Sequence, residues 1–489
     1  MKRSNQRKDD GANPAGAATV AGRGDTLTER LHRELKAEIL SGRRIGGTRL
    51  PSTRQFGVQA GVSRNIVLAV YDLLLSEGLV VSRRGAGTFV RDGAARPSQP
   101  PPAFDPRVLQ ARIRSPWRDG GLTDPIAASA PFDFRIGIPD TRRFPHDVWR
   151  RSIARAAREL ARRGGNLGPS DGLAPLRAAI ARHVSFARAV ACTADDIIVT
   201  AGAQQALDLI ARVLVTPNRT VAAVEDPGYP PAAHVLAAAG ARLHPVAVDA
   251  QGLVVDALPR AATLIYTTPS HQFPLGAVLS AQRRAALIAF AHARGAVIIE
   301  DDYDGEFRHH GRPLDALQTL DRAGQVIYVG TFSKSLFPAL RLGFIVAPPW
   351  LRRALVAAKQ LADWQCPLLE QIALAHFIDD GHLARHVRRM RRIYAERHDA
   401  LTAAIQRDLG KALTLIPSSS GLHLAALTAP GKSAAALATR ARNAGIAIQT
   451  ARAYRRDHGG GDGLVFGIGQ IETDAIDTAI RRLARLLTP

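Results

Sequence analysis

The sequence is poor in sulfur and in aromatic rings: 489 residues hold two Cys, two Met and only 5% Phe, Trp and Tyr. Cys192 and Cys366 stand far apart, which excludes a disulfide framework and a cysteine-rich metal site and fits a reducing compartment. No apolar run approaches the roughly 20 residues that span a bilayer, so a helical membrane protein is excluded and no membrane partner is expected. Acidic residues are scarce as well, 43 Asp and Glu against 65 Lys and Arg, for a formal charge of +22. Such an excess suits a polyanionic partner or an arginine-rich surface. It is about twice as dense over residues 1–93 as over the remainder, where contacts to a phosphate backbone would want it. Residues 1–24 are polar, Gly- and Ala-rich and lack an apolar signal core, which predicts a disordered tail and a cytoplasmic protein.

What is present is ordinary globular material, 46% hydrophobic, on a chain too long for one core. Composition divides it into a compact module over 25–92, a Pro- and Gly-rich linker over 93–130, and a large domain over 131–489. In the large domain, helical patterns alternate with the apolar runs Asp196–Thr200, Val221–Val224, Leu264–Tyr266, Ala296–Glu300, Val326–Gly330 and Leu342–Val346. That alternation predicts an α/β fold with a mostly parallel sheet covered on both faces.

In the first module, Leu27–Leu40 is apolar at helical spacing behind a capping Thr26. A second helix starts at Arg49-Leu50-Pro51-Ser52-Thr53-Arg54 and stops at Gly61; a third opens at Ser63-Arg64-Asn65 and runs to Gly78. Two strands follow, Leu79–Ser82 and Thr88–Arg91, joined by Arg83-Arg84-Gly85-Ala86-Gly87. This is the layout of a winged helix-turn-helix, whose third helix enters the major groove. Arg64 and Asn65 fall in its first turn, where Arg suits guanine and Asn adenine. Ser52, Arg54 and Ser63 suit phosphate contacts, Arg83 and Arg84 the minor groove or backbone beside the wing; Arg49 and Gly87 complete the candidate DNA-facing set. The ordered string from Leu50 to Val90 resembles the GntR family of winged-helix regulators. Gly57, inside the second helix, departs from the pattern and is expected to cost about 1 kcal/mol against Ala.

Four segments of the large domain share one chemistry. Lys334 follows the strand Val326–Gly330 in Thr331-Phe332-Ser333-Lys334, with Arg341 beyond it. A lysine past the carboxyl end of a buried strand faces the ligand side of an α/β sheet and can form a Schiff base when nearby cations keep it partly neutral. Arg341, Thr331 and Ser333 offer donors to a phosphate. Asp301, in Glu300-Asp301-Asp302-Tyr303, can hold a pyridine nitrogen protonated, and Tyr303 can bond the neighbouring ring oxygen. No His or further acid follows at ligand spacing, which weighs against a divalent metal there, and no metal site is expected. Gly202, Ala203 and Gln204 open a helix whose amides make an anion site. Tyr229, after Glu225-Asp226-Pro227-Gly228, is placed to stack on the ring, and Thr268–Gly276 is expected to be a ligand-facing loop.

Together these segments resemble the fold-type-I aminotransferases over about 131–487. Behind a GntR-like head they resemble the MocR/GabR regulators of bacteria. The resemblance implies pyridoxal 5'-phosphate on Lys334, a small α+β subdomain over roughly 360–489, and a head-to-tail, domain-swapped homodimer. It also implies a double-stranded DNA operator with repeated half-sites and, as effector, a small amine, an amino acid or the cofactor itself. Three departures bear on activity. Phe273 stands where aminotransferases carry Asn, and Leu464-Val465-Phe466-Gly467 lacks the arginine that grips a substrate carboxylate; Arg452, Arg455 and Arg456 remain as substitutes. Leu167 replaces a phosphate-donating Tyr. These changes favour a regulator over the alternative, a working aminotransferase with a DNA-binding appendage.

Overall fold

The computed structural model describes residues 26–94, 106–114, 117, 130–309, 315–456 and 461–486. The expected tail over 1–24 and most of 93–130 lie outside these. The chain divides into two compact units, Met1–Ile113 and Arg114–Pro489.

In the first unit the three helices are Leu27–Leu40, Thr53–Ala60 and Arg64–Ser76. Thr26 and Ser52 each form a reciprocal capping box with Glu29 and Gln55, and Ser63 accepts from the Ile66 amide, so each start is fixed locally. Gly61 ends the second helix at φ 64°, a left-handed turn that suits glycine. Strands β1 (Val80–Arg83) and β2 (Gly87–Val90) pair antiparallel, one residue displaced from expectation at each end. Leu35, Ile39, Val67, Val70, Leu74 and Val80 form the core. Gly57 is not the misfit expected. A Cβ there would lie 3.0 Å from the Val62 carbonyl oxygen, so glycine lets the turn close on the second helix. Within the expected linker, Pro106–Gln110 forms a short helix rather than an extended spacer.

The second unit begins with β3 (Phe132–Asp133) and continues through β4 (Ile197–Thr200), β5 (Val221–Asp226), β6 (Arg242–Asp249), β7 (Gly252–Leu253), β8 (Leu264–Thr267), β9 (Val297–Asp302), β10 (Val326–Thr331) and β11 (Gly343–Val346). The large sheet runs β4-β11-β10-β9-β8-β5-β6-β7. β5, β6, β8, β9 and β10 are parallel; β11 runs antiparallel to both β10 and β4. All six apolar runs became strands, and their near-complete burial explains why they read as continuous runs. The side chains of β6 are mostly exposed, so it left no such run.

A second sheet, β12 (Leu413–Leu415), β13 (His423–Thr428), β15 (Gln449–Thr450) and β16 (Gly463–Gly467), packs against helices His382–Leu409 and Thr473–Arg485 around a core of Leu401, Ile405, Leu424, Phe466, Ile476 and Ile480. Strand β14 (Ile446–Ala447) pairs parallel with β3, which ties the entry of the unit to its C-terminal half. Buried Arg397 strengthens the tie, donating to Asp140 at 2.8 Å and Glu472 at 2.7 Å. Among the described residues no single helix is long and apolar enough to cross a membrane.

Candidate functional site

The head presents its candidate residues outward. Arg49, Ser52, Arg54, Ser63, Arg64, Asn65, Arg83, Arg84 and Gly87 are all exposed. Arg64 and Asn65 occupy the first turn of Arg64–Ser76, with Arg64 Nε 3.4 Å from Thr53 Oγ1 on the preceding helix. In the wing, Arg83 lies 4.8 Å over the Phe89 ring, and a Cβ at Gly87 would come within 3.0 Å of Arg49 Nε. The Ser52 and Ser63 hydroxyls already cap their helices. A phosphate at either helix start would therefore meet capped amides with serine beside them.

In the second unit the ends of β9 and β10 stand side by side, Val329 opposite Asp301. Lys334, just past β10, donates from Nζ to the Gly137 carbonyl at 2.5 Å. Burial lowers its pKa, and the nearby Arg341 charge adds to this against the pull of Asp304 and Asp301. That is the condition a Schiff-base lysine needs. Arg341, in the left-handed region at φ 51°, donates to the Ala201 carbonyl at 2.8 Å. It flanks Gly202, where a Cβ would sit 3.0 Å from its guanidinium. Gly202 opens the helix Ala203–Leu214, and Thr331 donates to Ser333 Oγ at 3.0 Å. Two cations, two hydroxyls and a helix N-terminus thus gather at the carboxyl ends of β10 and β4, the donor set a phosphate requires.

The three acids that end β9 separate by partner. Glu300 accepts from the amides of Leu317 and Gln318 at 2.7 and 2.8 Å, and Asp302 from Arg188 and Tyr328 at 2.6 and 2.7 Å. Asp301 alone keeps an opening. Its Oδ2 accepts from Tyr266 at 2.7 Å, while Oδ1 is buried without a hydrogen-bond partner. Burial pushes its pKa up to about 7, opposed by the Tyr266 hydrogen bond. An orphan carboxylate oxygen of this kind fits a protonated ring nitrogen.

Two of the expected groups are already engaged within the protein. Thr268–Gly276 turns its polar side chains inward rather than toward a ligand. Thr268 and Gln272 join Thr267 in bonding the buried Glu225, and Phe273 packs edge-on to Tyr229, Tyr303 and Tyr454 at 5.4, 5.9 and 5.1 Å. Nor is the Tyr303 hydroxyl open, since it donates to the His271 carbonyl at 2.9 Å and lies 3.0 Å from His271 Nδ1. His271 Nδ1 in turn faces Asp304 Oδ2 at 3.0 Å, and that oxygen also accepts from the Leu422 amide. With His423 these form the cluster of metal-ligating groups among the described residues. Its contacts hold Tyr303 in place, and nothing in the sequence spacing betrayed it. Tyr266 and Gly137 were missed too; Tyr266 reads from sequence as one more apolar strand residue. Of the arginines left open, Arg455 and Arg456 line a cavity of about 280 Å³ beside Tyr229, Tyr266 and Tyr454, and Arg452 is not among its lining residues.

The model for bacterial regulatory proteins of the gntR family matches residues 27–90, and that for aminotransferase class I and II matches 132–459. The chain belongs to the GntR regulators that carry an aminotransferase-like domain. It is 39% identical to the probable rhizopine catabolism regulatory protein MocR of Rhizobium meliloti, over 82% of this chain and 81% of that one. The HTH-type pyridoxine biosynthesis transcriptional regulator PdxR of Corynebacterium glutamicum is 33% identical over 92% of each chain. Among solved structures, the α-aminoadipate aminotransferase LysN of Thermus thermophilus is 30% identical with a TM-score of 0.67, covering 73% of this chain and 92% of that one. This membership makes the chain a helix-turn-helix transcription regulator joined to a domain whose family depends on pyridoxal phosphate.

Proposed function

We propose that this regulator holds pyridoxal 5'-phosphate on Lys334 and senses a small amine or amino acid by exchange at that lysine. The observation that carries the reading is Asp301, a buried carboxylate with one unpartnered oxygen beside a lysine of lowered pKa. Asp301 would face the ring nitrogen, Tyr229 the ring, and Tyr303 the ring oxygen once released from His271. Gly202, Ala203, Gln204, Thr331, Ser333 and Arg341 would hold the phosphate. When bound, the cofactor would supply an aldehyde that condenses with the Lys334 amine with loss of water, and from which an incoming amine can displace that lysine. Arg455 and Arg456 would take an acidic group on the effector in place of the arginine absent from β16.

The head would bind a duplex operator with repeated half-sites: Arg64 and Asn65 read base edges, while Arg49, Ser52, Arg54, Ser63, Arg83, Arg84 and Gly87 contact or approach the backbone. A head-to-tail homodimer in the bacterial cytoplasm completes the reading. Regulation requires that effector bind two arrangements of the protein with different affinity; binding alone shifts nothing. A spectral titration of the purified protein with pyridoxal phosphate and then with amines tests the proposal. A visible band that forms and then changes with some amines supports it; no band at saturating cofactor overturns it.

A further inference from the structure

Away from the cleft, the second unit carries a face of guanidinium groups that the proposed sensing and operator reading leave unused. On the helix His146–Arg162, Arg151, Arg155, Arg158 and Arg162 are all exposed and recur at helical spacing, which sets them in one stripe. On His382–Leu409, Arg385, Arg388, Arg389 and Arg392 are exposed along the first turns. The two rows meet at one corner. Arg155 lies 3.4 Å from the Asp380 carboxylate, and Arg385 donates to the Asp380 carbonyl at 2.9 Å. The corner residue His382 has its pKa lowered by burial and by both Arg385 and Arg151, so both rows reach it electrostatically.

The acids nearby do not neutralise this face. Asp379 is taken by Arg182 at 2.6 Å, Asp380 by Arg155, and Glu396 stands 3.9 Å from Arg392. Arg151, Arg158, Arg162, Arg388 and Arg389 have no ion-pair partner among the described residues. Guanidinium groups crowded without counter-ions repel one another, and a row of them is matched by a regular row of phosphates. The stripe from Arg151 to Arg162 is about 16 Å long, enough to follow several phosphates of one strand, spaced about 3.4 Å apart along the axis.

We infer that this face of the aminotransferase-like unit binds the phosphate backbone of duplex DNA, without reading sequence. It rests on the reading that the protein binds DNA through its head, and it adds a second, electrostatic footprint.

The test uses the full chain, a long random-sequence duplex, and the triple variant Arg151→Ala, Arg158→Ala, Arg162→Ala, none of which loses an ion pair. Affinity is measured against salt. The expected result is a slope of log affinity on log salt shallower by about 3 than that of the unaltered chain, with thermal stability and oligomeric state unchanged. An equal slope in the triple variant overturns the inference while leaving head binding intact. Failure of the unaltered chain to bind any duplex would sink the head reading and this inference with it. A change of oligomeric state in the variant would make the face a subunit contact and overturn the inference as well.

Discussion

The amine of Lys334 donates to the carbonyl of Gly137, 197 residues earlier in the chain, at 2.5 Å. That carbonyl belongs to the segment entering the second unit, the same segment that β3 ties to β14. Gly137 sits at φ 76°, and a Cβ there would lie 3.4 Å from Lys334 Nζ. Gly137→Ala should therefore strain this turn and move the lysine's partner. Cofactor titration of that variant should show weaker binding in a protein that still folds. Unchanged binding would mean that the contact is incidental to the site.

Asp301 gives a pH prediction with a definite sign. Its pKa is raised by burial to about 7, so the folded state holds a proton that an exposed carboxylate would release. The stability this group contributes is present in acid and is lost as pH rises through its folded pKa, near neutrality. Asp301→Asn should flatten that part of the stability profile of the cofactor-free protein and weaken cofactor binding on the order of tenfold. Thermal melts across pH, beside cofactor titrations, check both; an unchanged affinity would remove Asp301 from the site.

Gly57 separates two physical arguments by the sign of one substitution. Helix propensity alone says that Gly57→Ala stabilises the head by about 1 kcal/mol. The structure places a Cβ 3.0 Å from the Val62 carbonyl oxygen, a backbone atom with little room to yield. Close packing should win, and the variant should be destabilised by about 1–3 kcal/mol. Chemical denaturation followed by a probe in the head decides it.

Arg397 is buried beside Asp140 and also pairs with the half-exposed Glu472; truncating it would leave both carboxylates to Arg142 and Arg143 alone. Burial alone would raise Asp140, yet Arg142 and Arg397 hold its pKa below the usual carboxylate range. The stability this contributes is present above the ordinary carboxylate pKa and lost as pH falls through the lowered one. Arg397→Ala should cost about 1–3 kcal/mol in the second unit, the loss of buried charge-assisted hydrogen bonds, and leave DNA binding by the surviving head measurable. A melt indistinguishable from that of the unaltered chain would contradict this account of the tie.

How far the sequence could be read depended on how local each signal was. Thr26, Ser52, Gly61 and Ser63 act on residues three or four positions away, so the head was legible almost to the residue. The buried strands showed themselves as apolar runs, and Lys334, Asp301 and Gly202 lie at the ends of strands that could be placed. Contacts between distant segments left no trace. Gly57 read as a fault because Val62 had no visible position above it, and His271, Asp304 and His423 meet only when two loops and β13 come together in the fold. The polar string Thr268–Gln272 seemed to face a ligand because nothing in the sequence paired it with Glu225.

The head makes its own claim. Arg64→Ala should weaken operator binding by about 1–3 kcal/mol and relax sequence preference. Arg84→Ala should weaken all duplexes alike. Competition binding with operator and random duplex separates the two outcomes. Equal loss on both duplexes for Arg64→Ala would move base reading elsewhere.

The most direct test of the account is the absorption spectrum of Lys334→Ala with saturating pyridoxal phosphate, read beside that of the unaltered chain. The account predicts a visible band in the unaltered protein that the variant lacks, while the variant remains folded and still binds operator. A variant that keeps the same band would show that another group captures the cofactor, and would contradict the assignment of Lys334.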